Sequence, residues 1–243
     1  MIICVRPNIR FSFKENIHVF KKLNYKHTRF DLNVIPDDDK RPKMDVFKDY
    51  YEFVKNAGMD FVEFHSFAAP DIDSFKSKAA LELEMMKLCN VKVISQHLTD
   101  ELMKHPDEIN AVIKDYKKAG ISVCVENLLR DMCFASMEEA DAVLKKLPDA
   151  DIAFDLGHAV LTGIDLCEFY DKYKDKIKVI HLHDVIDTDH LVPFTGVLKN
   201  SPFISRLKNF KGVCVLEIRC YNAEEAEKLF QDARQKINDF LLK

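Results

Sequence analysis

The chain has 243 residues, of which 47% are hydrophobic and 31% are charged. These proportions are typical of a soluble globular protein and exclude a chain that is disordered, collagen-like or coiled-coil throughout. The formal net charge is −4 at pH 7, so no overall basic field favours nucleic acid or an anionic membrane as a partner. We expect one domain over residues 1–243, because large single domains commonly have this length.

Seven cysteines are present, and none forms a Cys-x-x-Cys pair. The odd count and the position of Cys124 inside an apolar run indicate reduced thiols instead of disulfides or a zinc ribbon. No apolar run approaches the roughly 18 residues that a membrane helix needs, and the first six residues are typical of a strand, not of a signal peptide. We therefore expect a cytoplasmic protein with no membrane partner.

Short apolar runs rich in β-branched residues predict eight strands. These runs lack polar alternation, which is typical of a parallel sheet covered on both faces. The predicted strands are 2–6, 28–34, 60–65, 91–97, 121–127, 151–157, 177–183 and 212–218.

Longer amphipathic segments follow the strands and predict eight helices. Ser136 and Asn222 each stand three residues before a glutamate, which predicts a capping box at two helix starts. Gly58 and Gly120 follow two helix ends, where a left-handed residue is favoured. The predicted helices are 13–23, 44–57, 74–88, 106–118, 136–146, 164–174, 200–209 and 222–242.

The regular alternation of strands and helices favours one architecture. Eight strand–helix units of about 30 residues each predict a single (β/α)8 TIM barrel, an α/β fold. A doubly wound open sheet is the alternative, and it is less favoured because no Gly-x-Gly-x-x-Gly turn follows any strand.

Six successive predicted strands end in a side chain that can bind a divalent metal. They are His65, His97, Glu126, Asp155, His181 and Glu217. Taken singly, such a histidine is more often a structural residue, and such a carboxylate is more often a helix cap or surface charge. The carboxyl ends of barrel strands form the active site, however, and carboxylates in apolar strands are costly to bury unless paired or metal-bound. The mixed donors predict a divalent metal: Mn²⁺, Zn²⁺, Co²⁺ or Mg²⁺.

Four segments resemble the xylose isomerase-like TIM-barrel superfamily, which holds sugar and sugar-phosphate isomerases and epimerases together with endonuclease IV. The segments are Glu126-Asn127, Asp155-Leu-Gly-His-Ala159, His181-Leu-His-Asp184 and Glu217. The resemblance implies one divalent metal shared by four ligands, which are Glu126, Asp155, His181 and Glu217. It also implies that substrate oxygens are held by histidines, for which the candidates are His158, His183, His190 and His65.

The resemblance further implies an isomerase or epimerase that acts on a small sugar or sugar phosphate through an enediolate. A metal that binds a ketose carbonyl and the adjacent hydroxyl acidifies the C–H between them. Glu126 and Glu217 would then remove and return a proton as base and acid. The family also implies that the chain can form a homo-oligomer, although no helix indicates an interface.

An endonuclease IV-like zinc phosphodiesterase acting on abasic DNA is the first alternative. In that case His65 and His97 would bind a second ion, and His158 and His190 would serve a third. Two motifs of that branch are absent, because position 188 is Thr instead of Asp and His97 precedes Leu-Thr instead of Pro-Gly.

The loops also argue against that alternative. Segments 36–41 and 67–73 follow two strands and carry acidic residues, whereas a repair nuclease needs basic and wedge-like groups there. We therefore expect no nucleic-acid partner. Four cations remain as candidate contacts for a substrate phosphate, although each is more often a surface or salt-bridged residue. They are Arg6, Arg10, Arg130 and Lys104.

Two further alternatives stay on the same scaffold. A metal-dependent dehydratase would use the same metal to stabilise an enolate, and the sequence does not separate it from an isomerase. A barrel that binds a ligand without catalysis is less favoured, because the predicted set of two glutamates, one aspartate and one histidine is intact.

Overall fold

The computed structural model describes residues 1–36, 38–129 and 134–241. Its eight parallel strands are joined in chain order into a closed barrel, which confirms the predicted (β/α)8 TIM barrel. The strands are β1 (Ile2–Val5), β2 (His27–Asp31), β3 (Asp60–Ser66), β4 (Val93–Gln96), β5 (Ser122–Glu126), β6 (Asp151–Asp155), β7 (Ile177–Leu182) and β8 (Val213–Leu216).

Within the described residues, nine α-helices follow or connect these strands. They are α1 (Phe13–Lys22), α2 (Lys43–Asn56), α3 (Ile72–Cys89), α4 (Pro106–Lys118), α5 (Met137–Lys146), α6 (Leu156–Thr162), α7 (Leu166–Tyr173), α8 (Ile204–Asn209) and α9 (Ala223–Phe240). In this part of the chain no helix has the length and apolar character needed to cross a bilayer.

Three of the predicted boundaries are wrong for identifiable reasons. The predicted strand 28–34 ends at Asp31, whose carboxylate accepts the N–H of Asn33 at 2.9 Å and starts a 3-10 turn. The predicted strand 151–157 ends at Asp155, which caps α6, a helix that the sequence did not predict. The predicted helix 200–209 begins only at Ile204, after a separate 3-10 turn.

The predicted start signals of two helices are confirmed. The Ser136 hydroxyl accepts the N–H of Glu139 at 3.2 Å, and Asn222 Oδ1 accepts the N–H of Glu225 at 2.9 Å. Each glutamate accepts an N–H in return, but from the residue before the cap instead of the cap itself. The two helix starts therefore differ from a strict capping box by one residue.

Gly58 and Gly120 confirm the predicted helix stops. Their φ angles are 75° and 72°, the left-handed conformation that glycine adopts without steric cost. The prediction of reduced thiols is confirmed for the six cysteines in the described residues, whereas Cys133 lies outside them. Burial raises the pKa of the Cys214 thiol to about 12, so this side chain behaves as a small apolar group.

The chain divides into two compact units. The terminal unit contains Met1–Val62 and His181–Lys243, and the central unit contains Glu63–Ile180. In the terminal unit β1 pairs with β2 and β8, with Val5 opposite Leu216. In the central unit β3 to β6 pair in order. The expectation of one domain over residues 1–243 stays a prediction.

Each unit has aromatic packing in its core. In the terminal unit Phe20 of α1 meets Phe230 of α9 edge to face, with ring centroids 4.9 Å apart. The Tyr25 hydroxyl donates to the carbonyl of Phe230 at 2.8 Å, which satisfies a buried polar group. In the central unit Phe154 of β6 stacks on Phe169 of α7 at 4.5 Å. These contacts pack α1 against α9 in the terminal unit and α7 against β6 in the central unit.

Candidate active site

The six predicted strand-end residues lie where the barrel topology requires. Glu126 and Asp155 are the last residues of their strands, two histidines are next to last, and the remaining two residues follow their strands directly. Five of the six are buried, and His97 is half-buried. The burial of three carboxylates requires charged or hydrogen-bonding partners, and the two units supply different ones.

In the central unit Glu126 is surrounded by imidazole groups. Its Oε2 lies 3.1 Å from Nε2 of His65 and 3.2 Å from Nε2 of His97. Its Oε1 lies 3.7 Å from Nδ1 of His158. The rings of His65 and His97 stand nearly perpendicular, with centroids 4.6 Å apart. This arrangement places three imidazole nitrogens around one carboxylate.

Asp155 is held by hydrogen bonds to both its side chain and its backbone. Its carboxylate accepts the N–H of His158 at 2.7 Å and so caps α6. Asn127 donates to the carbonyl of Asp155 at 2.8 Å and accepts its N–H at 2.7 Å, which ties the segment after β5 to the end of β6. Nδ1 of His158 lies 3.1 Å from the carbonyl of Asn127. The Glu-Asn and Asp-x-x-His segments therefore form one hydrogen-bonded group.

The residues of the central unit fit a divalent cation. One ligand atom each from Glu126, Asp155 and His158 lies within 4.8 Å of the others, and His65, His97 and Glu126 form a second group of this kind. Carboxylate and imidazole donors suit Mn²⁺, Zn²⁺ and Co²⁺. A cation here would also offset the cost of burying two carboxylates.

In the terminal unit the partners of Glu217 are arginines. The guanidinium of Arg29, from β2, contacts Oε1, and Arg6, which follows β1, donates to Oε2 at 2.7 Å. Arg29 is fully buried. Nδ1 of His181 lies 3.4 Å from Oε1. A carboxylate that receives two guanidinium groups is held by strong charge-assisted hydrogen bonds.

These arginines control the charge of Glu217. Burial by itself raises the pKa of the carboxyl group, but Arg29, and after it Arg6, His181 and His190, lower it. The result is a pKa well below the ordinary value, so Glu217 is ionised at neutral pH. Sequence reasoning did not identify Arg29. The available signal was a permanently charged side chain inside an apolar strand.

The histidines after β7 are tied to the same unit. His183 Nδ1 accepts the N–H of His190 at 2.9 Å, and the two rings lie 4.2 Å apart. His190 has a φ of 56°, and its Nδ1 lies 3.2 Å from the carbonyl of Glu217. The structure therefore brings His181 and His190 close to Glu217 and places His183 against His190.

Asp184, part of the segment that resembles the family, holds a loop. Its carboxylate accepts backbone N–H groups from Gly196 at 2.8 Å and Leu198 at 3.1 Å. A Cβ at Gly196 would collide with the carbonyl of Val185, so this turn requires glycine. Asp184 thus positions the loop that carries His190.

The four predicted anion contacts have different surroundings. Arg6 binds Glu217, and Arg10 lies in the same unit. Lys104 forms an exposed ion pair with Glu101, which is typical of a surface charge. Arg130 lies outside the described residues.

Comparisons with known proteins agree with this fold. The family profile described as a xylose isomerase-like TIM barrel matches residues 25–240. No curated protein matches this chain. The probable 3-DHS dehydratase AsbF from Bacillus anthracis is similar in structure, with a TM-score of 0.78 and 9% identity over 98% of this chain and 99% of that one.

Two other solved structures are similar over nearly their whole length. The IOLI protein with a binding zinc atom has a TM-score of 0.77 and 16% identity over 99% of this chain and 98% of that one. The 3-keto-D-glucoside 4-epimerase YcjR from E. coli has a TM-score of 0.68 and 14% identity over 98% of this chain and 99% of that one. At such identities the similarity shows the fold alone.

Proposed function

Because the chain belongs to the xylose isomerase-like TIM-barrel family, we propose that it is a metal-dependent isomerase or epimerase of a sugar or sugar phosphate. The observation that carries the proposal is the group of buried Glu126 and Asp155 with half-buried His158, whose ligand atoms lie within 4.8 Å of one another. Burial of two carboxylates beside imidazoles is costly unless the group serves a charged ligand. A similar structure belongs to a 3-keto-D-glucoside 4-epimerase, which supports the same class of substrate.

We propose Glu126 and Asp155 as metal ligands, and the family resemblance adds His181 and Glu217. A bound divalent metal supplies polarisation of a substrate carbonyl, which acidifies the adjacent C–H. Mn²⁺, Zn²⁺, Co²⁺ and Mg²⁺ are the candidates, and zinc is the ion named for the similar IOLI structure.

Proton transfer is proposed for the two glutamates. Glu217 is anionic at neutral pH because of its arginines, which is the state that a proton acceptor needs. Its lowered pKa makes the carboxylate a weaker base and the protonated group a stronger acid, which suits return of a proton to the product more than its removal from the substrate. Glu126 would be the second acid–base group, with His65 and His97 orienting its carboxylate. We propose that His158, His183, His190 and His65 hold substrate oxygens.

The nuclease alternative is less well supported. Thr188 occupies the position where that branch has an aspartate, so Asp187 or Asp189 would have to replace it. Asp189 is bound by Arg219 at 2.5 Å, and this guanidinium competes with any ion for the carboxylate. The same arginine also contacts the hydroxyl of Thr188 at 3.3 Å.

Metal content is the first test. Elemental analysis of protein purified without chelator or affinity metal is expected to give one divalent ion per chain. The ion should be lost in Glu126→Ala and retained in Glu52→Ala, which changes an exposed glutamate of α2. A chain that binds no Mn²⁺ or Zn²⁺ even when these are added would contradict the proposal. Two or three zinc ions would favour the nuclease branch.

Proton exchange tests the chemistry. A panel of ketoses and ketose phosphates incubated in D₂O should show loss of the C–H signal next to the carbonyl, measured by ¹H NMR. The exchange should depend on added metal and should be absent in Glu126→Gln. Net loss of water from the substrate, without exchange, would identify a dehydratase instead.

A further inference from the structure

A pocket rich in arginine opens beside Glu217 in the terminal unit. Its volume is about 210 Å³, and its lining includes the side chains of Arg6, Arg10 and Arg219 with Asn8 and His190. The lining residues include no carboxylate. Three arginines line this small cavity and two of them bind one carboxylate each, which leaves an excess of positive charge that favours an anion.

The pocket lies at the end of the strands where barrel enzymes bind substrate. Arg6 directly follows β1, and Arg219 lies three residues after the end of β8. The two strands are neighbours, and the N–H of Arg6 donates to the carbonyl of Leu216 at 3.1 Å. The carboxyl ends of barrel strands form the active-site face, so the pocket belongs to that face.

The three arginines differ in their partners, because two bind a carboxylate and the third stacks on an aromatic ring. Arg6 binds Glu217 at 2.7 Å, and Arg219 binds Asp189 at 2.5 Å. Arg10 stacks on the ring of Tyr221, 4.7 Å from its centroid, and within the described residues it forms no ion pair. A guanidinium has five N–H donors, so Arg6 and Arg219 keep donors after binding one carboxylate each.

The loop that carries Arg10 is held in place by hydrogen bonds. The buried Asn16 of α1 accepts the N–H of Asn8 at 2.7 Å and donates to its carbonyl at 2.9 Å. Asn8 Oδ1 in turn accepts the N–H of Arg10 at 3.0 Å. The stack on Tyr221 orients the guanidinium itself. Binding an anion would therefore require little further ordering of this loop.

We propose that this pocket binds the phosphate group of a phosphorylated sugar, which makes a sugar phosphate, and not a neutral sugar, the substrate class. The inference rests on the proposed function. A phosphate monoester carries nearly two negative charges at pH 7 and three acceptor oxygens, which match the planar donors of arginine. Arg6 contacts both the pocket and Glu217, so a phosphate held there places the sugar carbons beside that glutamate.

Isothermal titration calorimetry with inorganic phosphate tests the pocket without any turnover. The full chain is first freed of metal, so that binding of phosphate to a metal does not contribute. We expect saturable binding that Arg10→Gln weakens by about tenfold, the loss expected for one charge-assisted hydrogen bond. Arg41→Gln is the matched control, because Arg41 is an exposed arginine of another segment, paired with Asp39 and Asp49. Absence of binding, or equal binding by wild type and Arg10→Gln, would overturn the proposal.

Competition distinguishes the sources of the anion. D-fructose 6-phosphate is expected to displace inorganic phosphate, whereas D-fructose at the same concentration should not. Displacement by a uronate but not by the phosphorylated ketose would overturn the assignment of a phosphate. These titrations need neither metal nor catalysis, so they can show a phosphate site even if metal content and proton exchange contradict the proposed isomerase. Conversely, metal binding and proton exchange can support the isomerase even if no phosphate binds.

Discussion

Glu126 and Glu217 are two buried glutamates at strand ends, and each compact unit surrounds its own with different side chains. In the central unit Glu126 lies among imidazoles, with His65 and His97 at 3.1 and 3.2 Å. In the terminal unit Glu217 is bound by the guanidinium groups of Arg29 and Arg6. The sequence contexts are alike, since both glutamates follow an apolar run containing Val-Cys-Val. The difference lies in the neighbouring strands.

The same side chain has different properties in the two units because its neighbours differ in chemistry. Guanidinium groups stay charged at all relevant pH values, so they favour the ionised form of Glu217 and lower its pKa. Imidazoles also bind metals, so the surroundings of Glu126 suit a divalent cation, whereas those of Glu217 already carry positive charge. Glu217 is therefore kept ionised by permanently charged groups, whereas Glu126 lies among side chains that can also bind a metal.

The largest effect is expected from removing either carboxylate. Glu126→Gln and Glu217→Gln should each lower the rate of substrate proton exchange by about 10³-fold, within the range known for acid–base groups. Circular dichroism should show an intact fold, and Glu52→Gln should exchange at the wild-type rate. Loss of exchange in Glu126→Gln with full activity in Glu217→Gln would confine the chemistry to the central unit. A fully active double variant would rule out the proposed pair.

Removing the buried Arg29 tests whether it stabilises the ionised carboxylate of Glu217. Arg29→Met leaves the Glu217 carboxylate without its buried partner, and the free energy of unfolding in urea should fall by about 3–5 kcal/mol. Adding Glu217→Gln to Arg29→Met should recover part of this loss, because the unpaired charge is then gone. Arg41→Met should cost less than about 1 kcal/mol, because its ion pairs are exposed. Strictly additive effects of Arg29→Met and Glu217→Gln would contradict the pairing.

Acid should reduce the stability that ionised Glu217 gives to the fold. The pKa of Glu217 is lowered in the folded chain, so its ionised form stabilises the fold above its ordinary pKa of 4.5. This contribution is lost as the pH falls below 4.5 and through the folded pKa. In metal-free protein, the difference in unfolding free energy between wild type and Glu217→Gln should therefore shrink between pH 5 and pH 3, roughly the window of that titration. A difference that stays constant over this range would contradict the lowered pKa.

The smallest effects on the free energy of unfolding are expected from the helix caps. One cap in each unit allows the stability of the two units to be compared. Ser136→Ala in the central unit and Asn222→Ala in the terminal unit should each lower the free energy of unfolding by about 1 kcal/mol. Ser77→Ala is the control, because this serine is exposed in the interior of α3 and caps no helix. Equal losses at both caps would show that the contrast between Glu126 and Glu217 is local and does not reflect a general difference in stability between the units.

Much of the candidate site could be predicted from the chain alone. Apolar strands of a parallel barrel end at one face, so a polar residue at a strand end is placed by topology before any coordinates are known. The positions of His65, Glu126, Asp155 and His181 followed from this rule. Asp155 also shows its limit, because its carboxylate ends the strand and starts α6, a local hydrogen bond that the apolar pattern does not reveal.

The partners of these residues could not be predicted in the same way. Arg29 and Glu217 are 188 positions apart, and nothing in either segment indicates the other. Asp184 has the spacing of a site residue, but its carboxylate accepts backbone N–H groups of its own loop. Arg10 and Tyr221 likewise meet only because β1 and β8 are neighbours.

The sequence by itself determined the fold class, the ends of most helices and the chemical types at the strand ends, because these depend on local periodicity and on hydrogen bonds between near residues. Only the tertiary structure decided which charges neutralise one another. Pairing between distant segments is set by strand order and side-chain direction, and a carboxylate in an apolar strand is equally compatible with an imidazole, a guanidinium or a metal. That choice separates the environments of Glu126 and Glu217, and it defines what each can do.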